Sequence, residues 1–238
     1  MRIAVMSDIH GFSIALETVL ADIDATGPYD EIVVAGDLCA VGPDPDGVLE
    51  MLRERDFTIL QGNTDYDVVD TSRFGPFEEE LTYVQRKIGP EGIEFLAMLP
   101  FSHRVTPPGG SALDDDLLVV HANPHNLVDK LDPNDSDRAL QEIIGDARFR
   151  SLAFGHIHIC YTRELDGRLL VDVSAVGNSK DGDLRCKYGV LTWNAETRAW
   201  TAEIRKLDYP LAETEAQILA SDLPNPQKTL KKLIEASY

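Results

Sequence analysis

Asp8 and His10 stand two residues apart directly after the apolar run Arg2–Met6. His156 and His158 repeat that spacing after Ser151–Phe154, within Gly155-His156-Ile157-His158. Asp37 follows Gly36 at the end of the apolar stretch 31–35. Asn63 follows Gly62 after the stretch 57–60, and His121 follows Leu117–Val120. These side chains offer carboxylate, amide oxygen and imidazole nitrogen, the donor types that suit Mn, Fe, Zn or Ni. Singly each signal is weak, because Gly-Asp and Gly-Asn are ordinary turn chemistry and a strand-end histidine is most often a hydrogen-bonded structural residue. Together they take up four of the six histidines in the chain.

The spacing supports a shared centre. In extended chain, residues two apart point the same way, roughly 6–7 Å from each other. Such pairs can address one ion, or two neighbouring ions about 3.5–4 Å apart. Asp37 has two carboxylate oxygens and can bridge, while Asn63 supplies a neutral ligand. Two divalent ions bring +4, and Asp8, Asp37 and a bridging hydroxide return −3, leaving roughly +1. The chain as a whole carries 22 Lys and Arg against 41 Asp and Glu, a net charge of −19. That surface repels long nucleic acid, but a local positive centre can receive a small phosphoester.

The elements that must position these groups follow from periodicity. Arg2–Met6, 31–35 and 57–60 read as strands, alternating with helices over 13–25 and 46–55. Ligand sites in α/β sheets lie beyond the carboxyl ends of the strands. Two further helices are expected over 77–87 and 91–98, broken at Gly89-Pro90 and read as an outer helical insert near 74–99. Strands are expected over 101–106, 113–120, Ser151–Phe154, 159–165, 168–173, 188–193 and 200–205, with a helix over 135–145 and a hairpin turn at Asp166-Gly167. Two more helices fill roughly 208–238. The sequence therefore predicts one α/β domain over 1–238, with two mostly β-sheets stacked face to face and helices outside.

Cys39, Cys160 and Cys186 are odd in number, widely spaced and free of any C-x-x-C pattern, which predicts free thiols in a reducing cytoplasm. No secretory leader is expected ahead of Asp8, and no apolar run of about 18 residues suggests a membrane span.

At these residues the sequence resembles the calcineurin-like metallophosphoesterase superfamily. Its D-x-H, G-D, G-N-H-[DE], strand-end His and G-H-x-H motifs stand here as Asp8-Ile9-His10, Gly36-Asp37, Gly62-Asn63-Thr64-Asp65, His121 and Gly155-His156-Ile157-His158. Residues 36–52 and 174–191 are further similar to small bacterial phosphodiesterase-like members with G-N-x-D in the third motif. The resemblance implies a four-layer αββα sandwich. It implies two divalent transition-metal ions, with Asp8, His10 and His158 on one, Asn63, His121 and His156 on the other, and Asp37 bridging. It also implies hydrolysis of a phosphoester by a metal-bridging hydroxide.

Thr64 departs from the broad family, where a histidine at this place is thought to protonate the leaving group. A threonine has no near-neutral pKa for that task. This moves the expectation from a phosphomonoesterase towards a phosphodiesterase, with manganese among the candidate metals. A nucleotide pyrophosphatase or phosphomonoesterase, and a catalytically weak or inactive scaffold of the same fold, are the alternatives. His125 is a candidate proton donor. Arg185, in the 174–191 segment, is a candidate to hold phosphate bidentately.

Overall fold

The computed structural model describes residues 1–70, 72 and 75–237. Phe74, where the expected insert begins, and Tyr238 lie outside the described residues.

The N-terminal half alternates strand and helix: β1 (Arg2–Met6), α1 (Ser13–Thr26), β2 (Glu31–Val34), α2 (Pro45–Arg53) and β3 (Thr58–Ile59). Asp44 caps α2 by accepting the Gly47 N–H, and Pro45 occupies its first turn, where a missing N–H costs nothing. Two helices follow, α3 (Asn63–Val69) and α4 (Glu78–Met98), the latter broken at Gly89-Pro90 by a left-handed Gly89 (φ 65°). Then come β4 (Ser102–Val105), β5 (Leu117–Val120), α5 (Asp137–Ile144), β6 (Ser151–Phe154), β7 (Tyr161–Leu165) and β8 (Arg168–Asp172). The chain closes with β9 (Cys186–Asn194), β10 (Ala199–Leu207), α6 (Leu211–Ala220) and α7 (Pro226–Glu235).

Two differences from the sequence expectation have clear causes. The strand expected from residue 113 begins only at Leu117. Asp115 accepts the Ser111 N–H and Asp116 accepts the Leu113 N–H, so the preceding stretch is tied into a turn. The Gly62-Asn63-Thr64-Asp65 stretch, read as a turn, opens the helix α3. Asp65 sits at its third position and accepts the Gly62 N–H at 2.9 Å, as an acidic residue does near a helix start.

The strands form two five-stranded mixed sheets, ordered β10-β9-β1-β2-β3 and β4-β5-β6-β8-β7. β1, β2 and β3 run parallel in the first, as do β5, β6 and β8 in the second. Side chains alternate between two buried faces. Ile3, Val5, Leu117 and Val119 fill the space between the sheets with Trp193 and Trp200. Ala4 and Met6 turn to the α1 side, and Leu118 and Val120 turn to the α5 side. Strands covered on both faces need such continuous apolar runs. The result is an α/β fold of four layers, αββα. No helix among the described residues is long and apolar enough to cross a membrane.

One buried cation organises the loop that leads into β9. Lys187 is fully buried, and its Nζ donates to Ser179 Oγ (2.9 Å), Asp181 Oδ1 (3.1 Å), Asp183 O (2.7 Å) and Arg185 O (3.2 Å). The same loop ties to α7, with the Gly182 N–H donating to Ala236 O at 2.9 Å. Lys187→Met keeps the stem but strands these acceptors. It is expected to lower stability by about 3 kcal/mol, read as a shift of the urea midpoint at unchanged slope. An unchanged midpoint would show that the loop repacks without its cation.

Candidate metal centre

The loops after β1, β2 and β6, together with the start of α3, meet at one end of the sandwich. Asp8, His10, Asp37, His156 and His158 all have positive φ, between 54° and 71°. This differs from the extended spacing that the sequence suggested. The left-handed region is costly for residues with a Cβ, and strain of this kind collects at functional sites. It turns each side chain off the strand end, and it sends His156 and His158 to different places.

The glycines before these residues let backbones touch. A Cβ on Gly62 would collide with the Asp37 carboxylate, and one on Gly155 with the Asp8 carboxylate. The Gly-Asn and Gly-His pairs are therefore needed for close approach as well as for turning.

Two groups of ligand-type atoms result. Asp8, His10 and His158 form one. Asp8 Oδ1 lies 3.1 Å from His158 Nε2 and 3.6 Å from His10 Nε2, and the two Nε2 atoms are 3.1 Å apart. Asp8, Asp37 and His121 form the other. Asn63 joins it, with Oδ1 at 2.9 Å from both His121 Nε2 and His156 Nδ1. Asp37 Oδ2 stands 3.6 Å from His10 Nε2 and 3.6 Å from His121 Nε2, between the two groups.

The tautomers are set from behind. His10 Nδ1 faces Ala40 O (2.8 Å), His158 Nδ1 faces Asn178 O (2.6 Å) and His121 Nδ1 faces Ala35 O (2.9 Å). His156 instead uses Nε2, 3.1 Å from Val128 O. A carbonyl oxygen only accepts, so each of these nitrogens carries the proton. The opposite nitrogen of each neutral ring then presents a lone pair to the centre. Both groups are thus lined by acceptors that face other acceptors, and the buried Asp8 Oδ1 has no hydrogen-bond partner at all. Such an arrangement is repulsive until a cation enters. A proton on His10 would satisfy one contact but not the set. The donor chemistry fits two divalent ions, with backbone carbonyls as the outer shell that orients each imidazole.

The titration tendencies follow the contest between burial and the facing charges. Burial opposes ionisation of Asp8, yet His158 and His10 together hold its carboxyl well below the usual range. Burial also opposes a charge on His10, but the Asp8 and Asp37 carboxylates raise it. For His158 burial prevails, and its pKa is lowered. His156 is brought down to about 4, first by burial and then by repulsion from His121.

Asp65 stands in the third motif, but the sequence reading gave it no role; the structure makes it a positioning residue. Its buried carboxylate accepts from Asp37 N (2.8 Å), Leu38 N (2.9 Å) and Gly62 N (2.9 Å), and so clamps the Asp37 loop to the Asn63 loop. Thr64 completes the clamp, its N–H donating to Asp37 Oδ1 at 2.9 Å. Asp at the third helix position was the available signal.

The other two expected site residues lie elsewhere. His125 is exposed, and its Nε2 donates to Ile144 O at 2.8 Å. Arg185 is engaged by Asp183, through Nε at 2.9 Å and an η nitrogen at 2.8 Å. Neither lines the cavity of about 480 Å³ that opens over His10, Asp37, Asn63, His156 and His158. That cavity is walled instead by Thr64, by the first turn of α4 and by α7. Phe77, Glu80 and Leu81, at the start of the helix pair read most simply as outer packing, line this cavity.

A four-layer αββα sandwich with two adjacent carboxylate and imidazole groups at its strand ends is an arrangement consistent with a metal-dependent hydrolase. A family model described as the calcineurin-like phosphoesterase superfamily domain matches residues 1–196, and the chain belongs to that superfamily. It is 26% identical over 243 residues to the uncharacterised protein MJ0912 of Methanocaldococcus jannaschii, covering 93% of each chain. Its fold is similar to that of a metallophosphoesterase from Sphaerobacter thermophilus, with a TM-score of 0.77, 23% identity, and 99% and 100% of the two chains covered. The hypothetical protein PH1004 of Pyrococcus horikoshii superposes with a TM-score of 0.80 at 17% identity, over 99% and 98% of the chains.

Proposed function

We propose that the chain is a phosphodiesterase of the G-N-x-D type, with its whole length acting as one catalytic domain. The observation that carries this reading is the double set of inward-facing acceptors with Asp37 between them. In this reading Asp8, His10 and His158 hold one divalent ion, Asn63, His121 and His156 hold a second, and Asp37 contributes to both. Two such ions, when bound, acidify a water and polarise a phosphoryl oxygen. The protein's part is to hold the ligands in place. Ala35, Ala40, Val128 and Asn178 fix the imidazoles through their carbonyls, and the Thr64 N–H fixes Asp37.

Thr64 also separates diester from monoester chemistry. Its Oγ1 is buried without a hydrogen-bond partner, and the residue lines the cavity. A hydroxyl there can donate to an ester oxygen but cannot deliver a full proton near neutral pH. That suits a leaving group that departs with little help. His125 and Arg185 carry no role in this reading, since each is committed to another partner.

The test compares bis-p-nitrophenyl phosphate with p-nitrophenyl phosphate, with added Mn²⁺ and with a chelator. The diester is expected to turn over faster, and only with metal. Preference for the monoester would overturn the diesterase assignment, and no turnover of either would favour the inactive-scaffold alternative. Thr64→His is expected to raise monoester hydrolysis by about 10²-fold, the low end of what a placed general acid supplies. An unchanged monoester rate would remove Thr64 as the discriminating residue.

A further inference from the structure

His156 differs from the other three histidines of the centre in what orients it. His10, His121 and His158 face the carbonyls of Ala40, Ala35 and Asn178, residues that are themselves buried. His156 faces the carbonyl of Val128, 3.1 Å from its Nε2. Val128 is 49% exposed and belongs to the loop between β5 and α5. Its side chain has little packing with which to fix that carbonyl.

Two asparagines fix it instead. Asn126 Oδ1 accepts the Val128 N–H at 2.9 Å and the Asp129 N–H at 2.8 Å. The second of these belongs to the same peptide unit as the Val128 carbonyl. That unit is trans, so its N–H and its C=O point opposite ways. The bond that draws the N–H to Asn126 therefore aims the C=O at His156. Asn126 is held in turn, with Nδ2 donating to Asp129 Oδ2 at 2.8 Å and Oδ1 accepting from Asn123 Nδ2 at 3.1 Å. Asn123 is fully buried, and its amide makes every hydrogen bond it can. Nδ2 also donates to Asp129 O (2.9 Å), while Oδ1 accepts the N–H groups of His125 (2.8 Å) and Asn126 (3.0 Å). Backbone N–H groups only donate, which settles which way round each amide lies.

An asparagine in a loop is ordinary, because its side chain closes a turn on the residues just after it. That accounts for Asn126 taken alone. It does not account for a second, fully buried asparagine that spends both ends of its amide on the same loop. Nor does it account for the held peptide being the one that faces a ligand-type histidine. The consequence lies at the other ring nitrogen. With the proton kept on Nε2, His156 Nδ1 presents a lone pair 2.9 Å from Asn63 Oδ1. Without the Val128 carbonyl the proton would move to Nδ1, because Asn63 Oδ1 accepts it there. Nδ1 would then be lost as a ligand. The loop works against a tautomer that the empty centre itself favours.

We propose that Asn123 and Asn126 are positioning residues for the second ion: through the Val128–Asp129 peptide they hold His156 in its Nε2–H form and keep Nδ1 open to metal. This rests on the two-ion part of the reading above and not on its diesterase part.

The test reads the tautomer and the metal separately. Long-range proton–nitrogen NMR correlations on metal-free protein near neutral pH report the form of each imidazole, and calorimetric titration reports Mn²⁺ binding. Wild-type His156 is expected in the Nε2–H form. Asn126→Ala is expected to show a mixture with the Nδ1–H form, while unchanged signals from His10, His121 and His158 report that it is folded. One of the two Mn²⁺ steps is expected to weaken about tenfold in this variant, the low end of the loss when a group that orients a metal-bound histidine is removed, with the other step unchanged. Asn126→Asp keeps the oxygen that accepts both N–H groups and is expected to restore the Nε2–H form. An Nδ1–H ring in wild type, which needs no variant to be seen, would overturn the proposal. So would a single Mn²⁺ bound by wild type. A merely structural loop is recognised by Asn126→Ala losing thermal stability with tautomer and both affinities unchanged, and that result also overturns it. Failure of the diesterase reading looks different, since bis-p-nitrophenyl phosphate is then not hydrolysed while the tautomer and both Mn²⁺ steps behave as expected.

Discussion

Asp37→Asn is expected to lower metal-dependent phosphodiester hydrolysis by at least about 10²–10³-fold while leaving the fold in place. The position of the two oxygens explains both halves of that result. Oδ1 accepts the Thr64 N–H at 2.9 Å, and an asparagine oxygen can keep this bond. Oδ2 stands 3.6 Å from His10 Nε2 and 3.6 Å from His121 Nε2, the point where one negative charge serves both groups. An amide NH₂ there is a donor where a ligand is needed, and it removes one of two central carboxylates. Titration with Mn²⁺ should show weaker binding and a lower stoichiometry than wild type, at the same thermal midpoint without metal. Retention of both metal binding and turnover would rule out Asp37 as the shared ligand. A variant that loses activity only because it is unfolded is told apart by its far-UV spectrum.

The grouping of ligand-type residues was legible because they follow apolar strands in a fixed order. The sheet places strand ends together, so Asp8, Asp37, His121 and His156 could be grouped from sequence alone. The backbone that aims them was not legible. Nothing in Asp-Ile-His states that Asp8 and His10 both take φ 54°, since that conformation is imposed by contacts with residues far along the chain. His10 N donates to Asp37 O and His156 N to Asp8 Oδ2, and these pairings exist only after folding.

The cavity wall was hidden for a different reason. Lys228 and Lys232 look like the solvated side of an amphipathic helix, and in sequence that reading is sound. Only the packing of α7 at this end of the sandwich puts them on one cavity with Lys130 and Lys180. Arg185 is a different case. It was singled out within a motif-like segment, but Asp183 two residues earlier holds it in a local pair. The 174–191 segment is held by Lys187, and its contribution to the centre is the Asn178 carbonyl on His158.

Asp65→Ala is expected to cost about 4 kcal/mol of stability and to abolish activity, although Asp65 is no metal ligand in the proposed set. The carboxylate is fully buried and is the acceptor for the backbone N–H groups of Asp37, Leu38 and Gly62. Removing it strands these donors where water does not replace it, and each unsatisfied buried donor costs about 1–3 kcal/mol. It also frees the loops that carry Asp37 and Asn63. Asp65→Asn keeps one acceptor but turns an NH₂ towards another N–H, so its loss should be smaller, about 2 kcal/mol. The pH dependence identifies the group. Burial, and next the charge of Asp37, raise the Asp65 pKa to about 6. In unfolded chain an aspartate titrates near 3.9. The native state therefore holds the proton more tightly, and metal-free protein loses stability as pH rises from about 4 through about 6. Asp172, whose pKa burial also raises, adds to the same slope. Asp65→Asn should remove part of it. Mn²⁺ should flatten it in wild type, because a cation on Asp37 offsets the charge that disfavours ionised Asp65. Denaturant midpoints at pH 4.5 and pH 7, with metal and with chelator, measure both effects. An identical slope in wild type and Asp65→Asn would show that this carboxyl is not the titrating clamp.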